Sequence, residues 1–192
     1  MKQFNLELPV GITWIQVISS SGSPVGDDGT SDTVTNRLDR DLLVAARNEA
    51  DWILVSGRTF LSERYKASRR APIAVITGSS QTASDVEALI AQNQPVDESK
   101  PINLFKSVDE FLTEAGGAEA NKILLESGRT MAKSLLNLGY LTGAIVSVTG
   151  NLTDSGKEAI DALCADLGAS KSHFQLKFEV AELRIWAYQS TL

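Results

Sequence analysis

The sequence predicts an α/β protein in which a mostly parallel sheet carries helices on both faces and ends in antiparallel strands. Three features predict it. Short β-branched apolar runs alternate with segments whose apolar residues recur at helical spacing. Helix starts are marked by Ser followed three positions later by Glu. The last two apolar runs follow each other with no helix between them. Strands joined through helices run parallel, because such a crossover returns the chain to the same end of the sheet. With 192 residues, 43% hydrophobic and 22% charged, the chain has the size and balance of one domain, residues 1–192, that buries a core without disulfides.

Gly11 to Ser19 is β-branched and aromatic, bounded by Pro9 and a Ser/Gly/Pro stretch, and reads as the first, central strand. The loop from Ser20 to Asp32 is too polar to bury, and its composition favours a plain surface loop over an active-site flap. Arg37 to Ala50 puts Leu38, Leu42, Ala45 and Ala46 on one helical face and feeds the strand Trp52 to Val55. The unit then recurs: strand Ile73 to Thr77, helix Ser84 to Gln92, strand Ile102 to Phe105, helix Ser107 to Ala115, strand Lys122 to Leu125. A helix from Arg129 to Leu138, a strand from Leu141 to Thr149 and a helix from Ser155 to Leu167 continue it. Ser84/Glu87, Ser107/Glu110 and Ser155/Glu158 are capping-box pairs, in which each side chain satisfies an amide that the first helical turn leaves free. Asn93 to Pro101 is a polar surface connection rather than a domain boundary, and Phe174 to Ala181 with Leu183 to Gln189 form a terminal hairpin or edge strands.

A net charge of −6 argues against a nucleic-acid partner, which requires clustered cationic excess, and favours a small-molecule ligand. Cys164 is alone and lies in the apolar stripe of its helix, which fits a core position and a reducing, cytoplasmic compartment. No signal peptide is visible at the N-terminus, and the uncharged run from Leu8 to Gly26 loses its apolar character after Ile18, so it reads as a buried strand and a loop, with no membrane partner. His173 is given no catalytic role, and Trp14, Trp52 and Trp186 read as core or interface. Arg64, Lys66, Arg69 and Arg70 could meet a phosphate, although a solvated helix face is the commoner meaning of such a run.

Ligands of parallel sheets gather at the carboxyl ends of the strands. Two identical tetrapeptides stand there: Ser56, Gly57, Arg58 and Thr59 after one strand, and Ser127, Gly128, Arg129 and Thr130 after another. A glycine admits a ligand close to the backbone, the free amides of the following turn suit phosphate oxygens, and arginine adds charge. One such turn is an ordinary strand-to-helix connection, whereas two at one sheet edge could grip a diphosphate between them. Glu126 ends its strand and could bind a sugar hydroxyl, position a substrate or handle a proton, or be only a helix-start charge.

The ordered segments Ser19-Ser-Ser-Gly22, Ala50-Asp-Trp-Ile-Leu-Val-Ser-Gly-Arg-Thr59, Ala71-Pro-Ile-Ala-Val-Ile-Thr77 and Ile123-Leu-Leu-Glu-Ser-Gly-Arg-Thr-Met131 resemble the pyrimidine reductase domain of riboflavin biosynthesis, over residues 10 to 150. The resemblance implies a dihydrofolate-reductase-like fold and NADPH as hydride donor. It implies that Ser56, Gly57, Arg58, Thr59, Ser127, Gly128, Arg129 and Thr130 hold the cofactor, with Thr77 near its adenosine end. It further implies a ribosylamino-pyrimidine-type substrate near Ser19 and Ser21, Glu126 close to substrate and cofactor as the catalytic candidate, and a homodimer packed through the C-terminal strands. Ser19-Ser20-Ser21-Gly22 with Ser23-Pro24 stands where the family carries Ser-Leu-Asp-Gly and a basic residue, so an acid and a base are missing. The alternative is therefore a diverged, non-catalytic relative that binds a nucleotide or serves as an interaction domain.

Overall fold

The computed structural model describes residues 4, 6–26, 31–92, 99–150, 156–170, 174–180 and 183–189. Its strands are β1 (Gly11–Ser19), β2 (Trp52–Ser56), β3 (Ile73–Ile76), β4 (Ile102–Phe105), β5 (Lys122–Leu125), β6 (Leu141–Thr149), β7 (Phe174–Val180) and β8 (Leu183–Gln189). The helices are α1 (Arg37–Glu49), α2 (Gly57–Ser62), α3 (Ser80–Gln92), α4 (Val108–Ala115), α5 (Arg129–Asn137) and α6 (Lys157–Leu167). The strands form one eight-stranded sheet in the order β4-β3-β2-β5-β1-β6-β8-β7. From β4 to β6 every pairing is parallel, and β8 then runs antiparallel to both β6 and β7. This is the sheet that the alternating pattern predicts, with the terminal hairpin at one edge.

Alternation along the strands sorts the core into two faces. Ile12, Trp14 and Ile18 of β1, Leu54 of β2, and Ile123 and Leu125 of β5 point to the face covered by α4, α5 and α6. Cys164 is buried in that layer, as its place in the helical stripe requires. The residues between them point the other way, where they divide into two groups. Ile15, Leu124 and Ile145 pack under Leu42 and Ala46 of α1. Ile53, Val55, Ile73 and Val75 pack under Phe60 of α2 and Val86 of α3. The two groups meet where Ile53 of β2 pairs with Leu124 of β5, and a groove between α1 and the segment after α2 opens over that junction.

Of the three expected Ser caps, the one at Ser107 is present. The Glu110 N–H donates to Ser107 Oγ at 3.1 Å, and Glu110 Oε2 reaches one residue past the cap to accept from the Lys106 N–H at 2.6 Å. Asn36 caps α1 by accepting from the Asp39 N–H. The expected start of α3 is corrected: the helix begins at Ser80, so Ser84 and Glu87 lie inside it on its exposed side, and Ser79 Oγ accepts from the Thr82 N–H instead. The expected start of α6 is also corrected, since the helix begins at Lys157 with Gly156 as its N-cap and no side-chain cap bond; Ser155 and His173 lie outside the described residues.

Candidate functional site

The groove is a cleft of about 880 Å³ that runs over this sheet face, from Glu126 to Gly128 and Thr59 just after β5 and β2 back to Ile53 and Ile73 near the starts of β2 and β3. Glu126 lies in it directly after β5, on the same sheet face as Leu124, with its side chain 4% exposed. Its carboxylate is fully engaged. Arg47 Nε donates to Oε1 at 2.7 Å, Arg47 Nη2 donates to Oε2 at 2.5 Å, and the Tyr65 hydroxyl donates to Oε2 at 2.7 Å. Arg47 also stacks over the Tyr65 ring, with its guanidinium carbon 5.7 Å from the centroid. Burial lowers the pKa of the Arg47 guanidinium, but the hydrogen bonds and charge of Glu126 outweigh it, and the net shift is upward. Burial, reinforced by the negative charge of Glu126, raises the Tyr65 hydroxyl well above its ordinary value. Tyr65 therefore stays a donor throughout the neutral range. A carboxylate so held is fixed in place by charge-assisted hydrogen bonds on both oxygens.

The two Ser-Gly-Arg-Thr turns do come together. Ser56 Oγ and Thr59 Oγ1 are 2.9 Å apart, and Thr59 Oγ1 lies 3.4 Å from Ser127 Oγ, so a chain of hydroxyls joins one turn to the other across β2 and β5. The Trp14 indole N–H, fully buried under the sheet, donates to the Ser127 carbonyl at 2.8 Å and fixes the second turn from below. Gly128 is the N-cap of α5 and offers no side-chain acceptor, so the first amides of that helix are left without a cap, and a Cβ on Gly128 would meet nothing within 4 Å.

The individual residues of those turns divide by role. Thr59, Glu126, Ser127 and Gly128 line the cleft. Ser56 caps α2, and Arg58 is exposed outside the cleft lining. Gly57 is small for a packing reason: a Cβ there would lie 2.7 Å from Thr82 Cγ2 and 3.3 Å from Thr77 Cβ, where α2 crosses α3. Thr77 spends its hydroxyl on the Ser79 carbonyl at 2.9 Å. The Arg129 guanidinium turns away from the cleft to the Gly22 carbonyl and to Asp166 of α6, 3.6 Å away, and Thr130 is exposed outside the lining. Ser19 and Ser21 bond each other at 2.8 Å within a tight turn, and neither lines the cleft.

Two sequence expectations about the surroundings are corrected. The loop after β1 is not a plain surface loop, since Pro24 and Val25 form part of the cleft wall. Arg64, Lys66, Arg69 and Arg70 are not on a helix: they follow α2 in irregular chain and edge the cleft. Arg64 occupies the left-handed region, φ 48°, as the residue after the α2 C-cap, where the Tyr65 N–H reaches back to the Phe60 carbonyl. Six cationic side chains line the cleft against four carboxylates, so an acidic chain has gathered positive charge at this one place.

Asp39, Arg47 and Tyr65 are site residues that sequence reading missed. Asp39 is buried in the cleft wall, and its Oδ2 accepts from the Thr35 hydroxyl at 2.6 Å. Burial raises its carboxyl above the ordinary value, partly offset by the hydroxyls of Thr35 and Ser147 and the charge of Arg40. The available signal was periodicity, because Asp39 stands three and seven positions before Leu42 and Ala46 on the apolar face of α1.

No family model matches the sequence, and no curated protein sequence does. Solved structures match it over nearly the whole chain. The dihydrofolate reductase of Enterococcus faecalis, solved with NADP(H), aligns with 96% of this chain and 98% of its own at a TM-score of 0.54 and 13% identity. This chain has the dihydrofolate-reductase fold. A pyrimidine reductase-like protein from Corynebacterium diphtheriae covers 93% of this chain and 91% of its own, at a TM-score of 0.57 and 15% identity. The diaminohydroxyphosphoribosylaminopyrimidine deaminase/5-amino-6-(5-phosphoribosylamino)uracil reductase of Thermotoga maritima aligns with 94% of this chain at a TM-score of 0.57 and 14% identity. This chain spans 56% of that protein. The solved structures that share its fold thus include pyrimidine reductase-like and riboflavin-biosynthesis proteins as well as a dihydrofolate reductase, all at 15% identity or less. Among the described residues no helix is long and apolar enough to cross a membrane.

Proposed function

We propose that this chain is an NADPH-dependent reductase whose substrate is a pyrimidine or a related oxo-heterocycle carrying an anionic tail. The observation that supports it most is the pairing of the two Ser-Gly-Arg-Thr turns at the edge of a cleft lined by excess positive charge. Bound NADPH supplies the hydride. The residues present suit it: the uncapped amides of Arg129 and Thr130 offer donors to a diphosphate at the open position above Gly128, and the hydroxyls of Ser56, Thr59 and Ser127 adjoin them. Arg58 and the segment from Thr77 to Ser80 lie at the ends of β2 and β3, on the side away from β1, and suit the adenosine end. Arg64, Lys66 and Arg69 suit a substrate phosphate at the cleft mouth. Asp39, buried in the cleft wall with its carboxyl raised above the ordinary value, suits a hydrogen bond to a ring nitrogen.

A second reading, a relative that binds a nucleotide without turning over substrate, is favoured by the saturation of Glu126 by Arg47 and Tyr65. Calorimetric titration of the purified chain with NADPH and NADH at near-physiological salt tests both. Selective NADPH binding followed by oxidation of NADPH with a pyrimidine in a substrate screen supports the reductase. NADPH binding without any turnover supports the second reading, and binding of neither nucleotide defeats the cofactor assignment.

A further inference from the structure

Glu126 is the carboxylate that the turn chemistry singles out, yet its geometry points elsewhere. It is 4% exposed and both oxygens are bonded, whereas its partner Arg47 is 29% exposed and lines the cleft. Arg47 gives Nε and one Nη2 hydrogen to Glu126 and also hydrogen-bonds Tyr65, which leaves part of its donor fork for the cleft. The fork is held rigid on three sides: by two parallel bonds to Glu126, by the Tyr65 ring beneath the guanidinium, and by the placement of Arg47 on α1 between the buried Ala46 and Ala50. A planar donor group fixed this way is arranged for recognition rather than for proton transfer.

We propose that Arg47 is the substrate-recognition residue of the cleft, donating to a ring carbonyl oxygen of the heterocycle, and that Glu126 and Tyr65 are positioning residues that act through it. The inference rests on the reading of the cleft as a reductase site. Charge decides the kind of acceptor. Glu126 already neutralises Arg47, so the pair offers N–H donors with no net charge, which suits a neutral carbonyl. The cations at the mouth, Arg64, Lys66 and Arg69, have no carboxylate partner among the described ion pairs and suit the anionic tail. The cleft therefore separates the two recognition tasks, with the carbonyl met at the floor and the anion at the rim.

The test uses the full chain with NADPH bound, titrated with uridine 5′-phosphate, which has both ring carbonyls and phosphate, and with ribose 5-phosphate, which lacks the ring. Arg47→Met alone strands a buried carboxylate and can unfold the protein, so the decisive variant is the double substitution R47M/E126M, which removes the ion pair as a unit. The double variant should lose about tenfold or more in affinity for uridine 5′-phosphate, as expected for loss of a charged donor, and bind ribose 5-phosphate within about twofold of wild type. Glu126→Gln, which retains a carbonyl acceptor for the guanidinium, should fall between the two. Failure of wild type to bind NADPH would defeat the reductase reading and this inference with it. Three outcomes with NADPH bound overturn the inference alone: no binding of uridine 5′-phosphate, an unchanged affinity in the double variant, or an equal loss for both probes.

Discussion

Gly57 offers a sharp test of the distinction between a glycine that makes room for a ligand and one that makes room for a helix. In the substitution Gly57→Ala the new methyl falls 2.7 Å from Thr82 Cγ2 and 3.3 Å from Thr77 Cβ. Apolar carbons rest about 3.5–4.0 Å apart, so the first contact must open by roughly 1 Å. Thr82 can turn about χ1, but Thr77 is held by its strand-end bonds, its N–H on the Phe105 carbonyl at 2.9 Å and its hydroxyl on Ser79. Overpacking of this kind costs about 1–3 kcal/mol, and the better helix propensity of alanine returns up to about 1 kcal/mol, leaving about 1–2 kcal/mol of destabilisation. In a chain of this length that lowers Tm by about 2–8 °C. Urea unfolding should show a lower midpoint with an unchanged slope. Thr82→Ser deletes the clashing methyl, so G57A/T82S should be more stable than the sum of the single effects predicts, by about 1 kcal/mol. Additive effects, or a Gly57→Ala variant as stable as wild type with weakened NADPH binding, would refute the packing account and return Gly57 to the ligand.

Further outcomes follow from the same contacts. Asp39 has a raised pKa when folded, so as pH climbs past its ordinary value of 3.8 the unfolded chain releases the proton first and stability declines until the folded carboxyl also ionises. Asp39→Asn should therefore gain stability relative to wild type across that window and hold the gain at neutral pH, measured by urea midpoints from pH 4 to 8. Tyr65→Phe removes a donor to a buried carboxylate and should cost about 1.5–3 kcal/mol at neutral pH. It should also reduce the loss of stability above pH 10 to which Tyr65 contributes because only the unfolded tyrosine ionises there. Arg129→Met releases the Gly22 carbonyl and Asp166, and should speed cleavage of residues 19–26 by a broad-specificity protease while changing global stability by about 1 kcal/mol or less. Light scattering tests the homodimer expected through the hairpin of β7 and β8, and a monomer at high concentration rejects it.

Strands were the most legible part of the sequence, since apolar runs bounded by Gly, Pro and Ser leave little choice of state: β1 spans Gly11–Ser19 as the run itself does. The start of α3 was hidden because Ser79 to Ala83 is polar and exposed at most positions, while Ser84 and Glu87 imitate a cap three residues apart on the solvent side. Single turns of the site were also legible, as Gly128 at the uncapped start of α5 shows. The connections between elements were not. Arg47 and Glu126 are 79 residues apart and Tyr65 and Glu126 are 61 apart, and nothing local marks a pair that only the insertion of β5 between β2 and β1 brings together. Arg129 illustrates the converse, because its position in a phosphate-type turn says nothing about a side chain that tertiary contacts draw toward Gly22 and α6.

The position of β1 in the sheet has a consequence for how the chain is made. Gly11 to Trp14 pair with Lys122 to Leu125, and Ile12 to Ser19 pair with β6, so the first strand to leave the ribosome finds both neighbours only after more than a hundred further residues have followed it. Meanwhile β2, β3 and β4 can assemble among themselves in the order of synthesis. Trp14, Ile12 and Ile18 then wait uncovered, a hydrophobic segment that trigger-factor-type chaperones or aggregation can capture, and slow late closure of the sheet is expected to set the folding rate. Because Glu126, Ser127 and Gly128 enter the cleft with β5, the site comes into being only when that strand inserts between β2 and β1, and no earlier fragment contains it.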